Sequence, residues 1–203
     1  MKQNGARHYV GGAYDFDRIG EWQYNWLIKN INKSDRFLDL GCGSMRLGKH
    51  LIPWLDTDKY VGIDFNQDVV DSGIEHEFSD SGILVKKRPQ FIFNHDFDLS
   101  SIEDKIDVVW VYAVFIHVSD TKIKLALKNC LNVLNDDGVI YCTFHKQKSG
   151  PEPDEDFVYS GATQSTYFRT LDEIRELFRG EGLTLRHADD TPKHQWLFEC
   201  KRI

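Results

Sequence analysis

The segment Phe37–Gly48, FLDLGCGSMRLG, constrains this chain more than any other. A short apolar run breaks at Gly41-Cys42-Gly43, then resumes as an amphipathic segment through His50, Leu51 and Ile52. Strand, glycine turn and helix in that order open a βαβ unit. Glycine suits the turn because it accepts positive φ and has no Cβ to hold a ligand off the backbone. The helix that follows directs free N–H groups at whatever lies above the turn. A dinucleotide fingerprint, G-x-G-x-x-G, would place glycine where Arg46 stands, so that kind of close helix–strand packing is not encoded.

The rest of the chain repeats the alternation. Residues 1–14 are polar and glycine-bearing, and Tyr9–Tyr14 reads either as a free terminus or as a flap. Asp15–Ile31 is predicted helical, with Phe16, Ile19, Trp22 and Trp26 as its buried stripe. Strands are expected at Arg36–Leu40, Tyr60–Ile63, Gln90–Phe93, Ile106–Tyr112 and Val139–His145. Helices are expected after the glycine turn to about Pro53, over Asn66–Phe78 and over Ser119–Leu134. The last presents Ile123, Leu127, Leu131 and Leu134 on one face, and Asn135-Asp136-Asp137-Gly138 is read as its stop.

Residues 147–169 hold Pro151, Pro153 and several glycines and read as a long loop or lid. Thr170-Leu171-Asp172-Glu173 is a capping box opening a helix to about Arg179. Leu183–His187 and His194–Cys200 close the chain as a strand pair, which the alternation does not explain and which is expected to be antiparallel. Alternating strands and helices imply an α/β fold, a parallel sheet covered on both faces.

With 203 residues and 41% hydrophobic composition, a single domain over 1–203 is expected, with 1–33 as flap and helix. The formal charge of −7 counts against broad nucleic-acid binding, and Lys86-Lys87-Arg88 reads as a solvated loop. No apolar run reaches a membrane span and the N-terminus has no signal core, so a cytoplasmic protein is expected. Cys42, Cys130, Cys142 and Cys200 form no C-x-x-C pair and fit reduced thiols, and the histidines show no metal-ligand spacing.

Asp64 ends the second strand 23 positions after Gly41, placed to accept from ribose hydroxyls. It argues for an adenosine ligand without choosing between a dinucleotide and another adenosyl compound. Asp39 precedes the first glycine by two, and the fourth segment reads DVVWVYAVFIHVSD.

Taken together, D-L-G-C-G-S, Asp64, Asp96 and this fourth segment resemble the motifs of class I S-adenosylmethionine-dependent methyltransferases, in their small-molecule branch. The resemblance covers residues 36–146 by motif and 170–201 by topology. It implies a Rossmann-like seven-stranded, mainly parallel sheet with an antiparallel C-terminal strand pair. It implies S-adenosylmethionine as cofactor, S-adenosylhomocysteine as product and a small-molecule methyl acceptor. Carried over by position, Asp39 lies at the methionine end and Gly41, Cys42, Gly43 and Ser44 form the cofactor-binding turn, while Arg46 either reaches the methionine carboxylate or is a surface arginine. Asp64 and Asn66 lie at the ribose, and Phe65 either lies on the adenine face or is core; Asp96, with Phe97, either meets the adenine edge or caps its own loop, and Tyr112 and Ala113 lie beside the cofactor.

His117, in the fourth motif, and His145, at the carboxyl end of strand five, are equal candidate bases for a hydroxyl acceptor. Each also reads as a structural hydrogen-bonding group. Tyr159, Tyr167 and Arg169 either shape the acceptor pocket or pack the loop. A non-catalytic cofactor-binding protein and an NAD(P)-dependent oxidoreductase are the alternatives, and Arg46 and the terminal strand pair argue against the second.

Overall fold

The computed structural model describes residues 15–78, 82–146, 157–159, 162–164 and 166–203. The flap reading at Tyr9–Tyr14, and most of the expected lid, lie outside them. Seven strands form one sheet, in the order Gln90–Phe93, Tyr60–Asp64, Phe37–Leu40, Ile106–Val111, Leu134–His145, Gln195–Cys200, Arg186–Asp190. The chain divides into two compact units, Met1–His95 and Asp96–Ile203. Among the described residues no helix is long and apolar enough to cross a membrane.

The first unit holds α1 (Phe16–Leu27), β1 (Phe37–Leu40), α2 (Gly48–Trp54), β2 (Tyr60–Asp64), α3 (Gln67–Phe78), α4 (Ile83–Lys87) and β3 (Gln90–Phe93). Its strands are parallel, with Asp39 opposite Gly62 and Asp64 opposite Phe93. Phe37, Leu38 and Leu40 are fully buried, each worth roughly 1.5–3 kcal/mol in transfer terms.

The helix before β1 is shorter than expected, ending at Leu27, and its face is rotated. Phe16, Ile19, Gly20, Gln23 and Leu27 are buried, while Trp22 and Trp26 are half-buried at the margin. The reason is a backbone contact. A Cβ on Gly20 would stand 2.5 Å from the Arg46 carbonyl oxygen, so the bare side of α1 lies directly on the turn after β1. From α3, a Cβ on Gly73 would stand 2.5 Å from the carbonyl carbon of Ser44. The 44–46 turn is thus gripped between two glycine faces. Lys49 closes the grip. It pairs with Asp17 of α1 and, at 3.2 Å, with Glu77 of α3, and its ammonium sits 5.0 Å from the Phe16 ring centroid.

The basic triplet is not a free loop. Lys86 and Lys87 end α4, Lys87 donates to the Leu55 carbonyl, and Arg88 pairs with Asp58.

The second unit holds β4 (Ile106–Val111), a 3₁₀ turn (Phe115–His117), α5 (Asp120–Val133), β5 (Leu134–His145), β6 (Phe157–Tyr159), β7 (Ala162–Gln164), α6 (Leu171–Gly180), β8 (Arg186–Asp190) and β9 (Gln195–Cys200). The β4–β5 pair is parallel, while β5–β9 and β8–β9 are antiparallel, as expected for the terminal pair. Thr170 and Glu173 form the expected capping box.

Three local expectations change. Asn135-Asp136-Asp137-Gly138 does not separate helix from strand but lies inside β5. The register jumps from Ile106↔Leu134 to Val108↔Val139, so these residues bulge out of the ladder. The buried face of α5 is Ile123, Ala126, Leu127, Cys130 and Val133, with the small Ala126 and Cys130 in place of Leu131. Within the expected lid, β6 and β7 pair antiparallel as a short hairpin; the side chain of Tyr159 lies outside the described residues. The outer strand β8 is solvent-exposed and ion-paired, with Arg186 to Glu199 at 3.0 Å, His187 to Asp190 at 3.0 Å and Lys146 to Asp190.

Gly20→Ala and Gly73→Ala are each expected to cost about 1–3 kcal/mol in urea unfolding, because backbone and not a flexible side chain opposes the new methyl. Gly180→Ala, which meets nothing within 4 Å, should cost nothing and serves as the control.

Candidate active site

In the first unit the turn after β1 is shaped by its backbone. Gly41 and Gly43 have φ of 87° and 52°, and Met45 follows at 63°. The N–H groups of Gly41 and Cys42 both donate to the Ile63 carbonyl, at 2.8 and 3.1 Å. Asp64 completes the bracket. Its Oδ2 accepts from the Gly43 N–H at 2.9 Å, and its Oδ1 from the Asn66 N–H at 3.0 Å. Asn66 caps α3 by accepting from the Val69 N–H at 3.2 Å. Burial raises the Asp64 pKa, against the backbone N–H groups of Asn66, Gly43 and Phe65, which lower it. Each Asp64 oxygen keeps a further lone pair for a hydroxyl donor.

Asp39 is 4% exposed and accepts a 2.7 Å hydrogen bond from the Tyr60 hydroxyl. Burial pushes its pKa up to about 7; the Tyr60 bond and the Arg46 charge pull it down, and Asp64 adds to the rise. Phe65 is 59% exposed, its ring 5.8 Å from that of His95. The Ser44 hydroxyl is buried and has no hydrogen-bond partner among the described residues. Cys42 is buried, and burial raises its thiol well above the ordinary range, so it is unreactive. Arg46 does not sit in the first helical turn, because α2 begins only at Gly48. The cradle over the turn is therefore built from loop backbone and the Asp64 carboxylate.

In the second unit, Tyr112 is buried and stacks on Trp110 at 5.9 Å. Ala113 has φ 58°, and its N–H donates to the Thr143 hydroxyl at 2.8 Å. His117 ends the 3₁₀ turn, its N–H bonded to the Val114 carbonyl at 2.9 Å. His145 ends β5, its ring stacked on Phe168 at 5.2 Å. Burial lowers its pKa, and the charge of His117 lowers it further. Asp96 is exposed and paired with Lys122 at 2.5 Å. The Phe97 carbonyl accepts from Asn129 at 2.8 Å. Asp98 folds back on its own turn, accepting from the Ser100 N–H at 2.9 Å.

Residues 38–140, 103 of the 203, match the family model for a methyltransferase domain. The chain belongs to this family. It is 25% identical over 123 residues to an uncharacterized methyltransferase of Schizosaccharomyces pombe, a match that spans 58% of this chain and 42% of the relative. Among solved structures it resembles magnesium protoporphyrin IX methyltransferase from Synechocystis PCC 6803 with bound S-adenosylhomocysteine. That match has a TM-score of 0.70 and 17% identity, covering 97% of this chain and 92% of the other. It also resembles the mitomycin 7-O-methyltransferase MmcR, with a TM-score of 0.71, 15% identity and coverage of 97% and 56%. At these identities the structural matches establish the fold, which is the seven-stranded one expected from the sequence.

Several residues that hold the candidate site were not evident from the sequence. Tyr60 opens β2 with nothing to distinguish it from a core aromatic. The signal was parity: Phe37 pairs with Tyr60 and Asp39 with Gly62, so Tyr60 and Asp39 share a face of the sheet. Thr143, fully buried in an apolar strand, carried a hint of its own, since a buried hydroxyl needs a partner. Phe168 gave no signal.

The raised Asp39 pKa has a sign. The protonated carboxyl is favoured by folding, so its contribution is complete below the ordinary value of 3.8 and lost as pH rises through about 7. Asp39→Asn should therefore be more stable than wild type at pH 8, and the gap should close toward pH 4. Urea unfolding at both values checks this; a gap of the same size at both would mean that the Asp39 carboxyl ionises normally.

Proposed function

We propose that the chain is an S-adenosylmethionine-dependent methyltransferase acting on a small-molecule acceptor, with a hydroxyl as the favoured target. The observation that carries the cofactor reading is the Asp64 bracket: one carboxylate fixes the Gly43 turn and the start of α3 while keeping lone pairs for a ribose diol. Asp64 would hold the ribose, and Phe65 would cover the adenine. Gly41, Cys42, Gly43, Ser44 and Arg46 would line the methionine end. Asp39 would lie near the ammonium and sulfonium charges. Asp96, Phe97, Tyr112 and Ala113 are assigned to the adenine edge and cofactor side by the family resemblance. The buried Ser44 hydroxyl suits an oxygen-rich ligand end, and Asp39 suits a cationic one.

Bound there, S-adenosylmethionine supplies an electrophilic methyl group, so the protein's work is alignment and exclusion of water. A hydroxyl acceptor must also lose its proton. His145 suits that task, because its lowered pKa keeps the imidazole neutral and able to accept near pH 7. His117, its neighbour, is the other candidate. Support for a small acceptor comes from the porphyrin and mitomycin methyltransferases that share the fold.

Calorimetric titration with S-adenosylmethionine, S-adenosylhomocysteine and NAD tests this reading. Micromolar binding of the first two is expected, with at least a tenfold loss in Asp64→Ala. Binding of NAD alone, or of none, would overturn it; binding with no turnover across a panel of phenolic and sugar acceptors would leave a cofactor-binding protein without catalysis.

A further inference from the structure

The 3₁₀ turn that carries His117 is held by two elements distant from it in sequence. The Ala113 N–H goes to Thr143 of β5 at 2.8 Å. The Ile116 carbonyl accepts from the Tyr167 N–H at 2.9 Å. The Phe115 and Val118 carbonyls accept from Nη1 and Nη2 of Arg169, at 3.1 and 2.7 Å. Arg169 Nε then donates to Asp120 at 2.7 Å, at the first turn of α5. Its guanidinium lies between the rings of Tyr167 and Phe144, at 5.2 and 5.9 Å. Arg169 is only 6% exposed, so its donors face the turn and not solvent.

Between Tyr167 and Arg169 stands Phe168, whose ring stacks on His145. Three consecutive residues therefore touch both histidine-bearing elements. A guanidinium is the group for this task. It is planar, always charged, and presents several donors in a fixed fork, which a lysine ammonium cannot imitate. Burying that charge is costly unless every donor is met. An arginine on the loop could have faced an acceptor directly; this one is buried and donates to the Phe115 and Val118 carbonyls and to Asp120.

We propose that Arg169 is a positioning residue that sets His117 against His145 on the acceptor side of the site, an inference resting on the reading that these histidines serve the acceptor. Arg169 acts through the backbone at Phe115 and Val118 and touches no reacting atom. The Tyr167–Arg169 segment thereby fixes the spacing of the two imidazoles.

The test is a proton NMR titration of the imidazoles in wild type, His117→Gln, Arg169→Gln and Arg169→Lys. In His117→Gln the His145 midpoint should rise, because the repelling neighbour is gone. In both Arg169 variants it should rise in the same direction, with no additional shift in the double variant with His117→Gln. Amide exchange at His117 and Tyr167 should quicken about tenfold or more. Arg169→Lys keeps the buried charge and carries the test if Arg169→Gln does not fold.

An unchanged His145 midpoint in folded Arg169 variants, with His117→Gln shifted, would overturn the proposal. An unchanged midpoint in His117→Gln would overturn it too, by removing the coupling it rests on. The titration needs no cofactor, so failure of S-adenosylhomocysteine to bind wild type would count against the proposed function and leave this result standing.

Discussion

The first unit depends on one carboxylate. Asp64 joins the turn after β1 to the start of α3 by accepting one backbone N–H from each. Two backbone donors that would otherwise be unmet near the sheet edge are satisfied by a single side chain, and the bonds it accepts offset part of the cost of its burial. The turn itself has little freedom left. Its N–H groups at Gly41 and Cys42 converge on one carbonyl, and helices press on it from both sides through bare glycine faces. The proposed adenosine-binding role and the structural role thus rest on the same geometry, because a loop must be rigid before it can present its backbone to a ligand.

Much of this was legible in the sequence. The order of elements, the antiparallel terminal pair and the capping box at Thr170 follow from local patterns whose physical cause is also local: turn chemistry, apolar period and cap. The misreadings share one origin. Trp22 and Trp26 look like the obvious core of α1, yet the helix turns Gly20 inward because backbone-to-backbone contact with Arg46 wins over aromatic burial. The Asn135–Gly138 stretch reads as a stop, yet β4 offers a ladder on both sides of it and the strand runs through with a bulge. Contacts distant in sequence decided each case, and no window of the sequence contains them.

The same division holds for the site. Asp39, Gly41, Gly43 and Asp64 announce themselves because their spacing follows the chain through one βαβ unit. Tyr60, Thr143 and Phe168 do not, since each acts across a sheet or from a loop on a residue far away. Arg169 was legible only as a lid residue that either shapes an acceptor pocket or packs the loop, and its hydrogen-bond partners Phe115, Val118 and Asp120 lie about fifty residues earlier.

The outer strand β8 has a consequence of its own. An unpaired strand edge offers a ladder to any other extended chain, and proteins blunt such edges with charge. Here Arg186, His187, Asp189 and Asp190 stand on five consecutive positions, most of them committed to ion pairs. Adding a strand would strip water from these groups and disturb pairs on β9 and at Lys146. The protein can therefore carry a sheet with an open margin in a crowded solution without that margin becoming a template for aggregation.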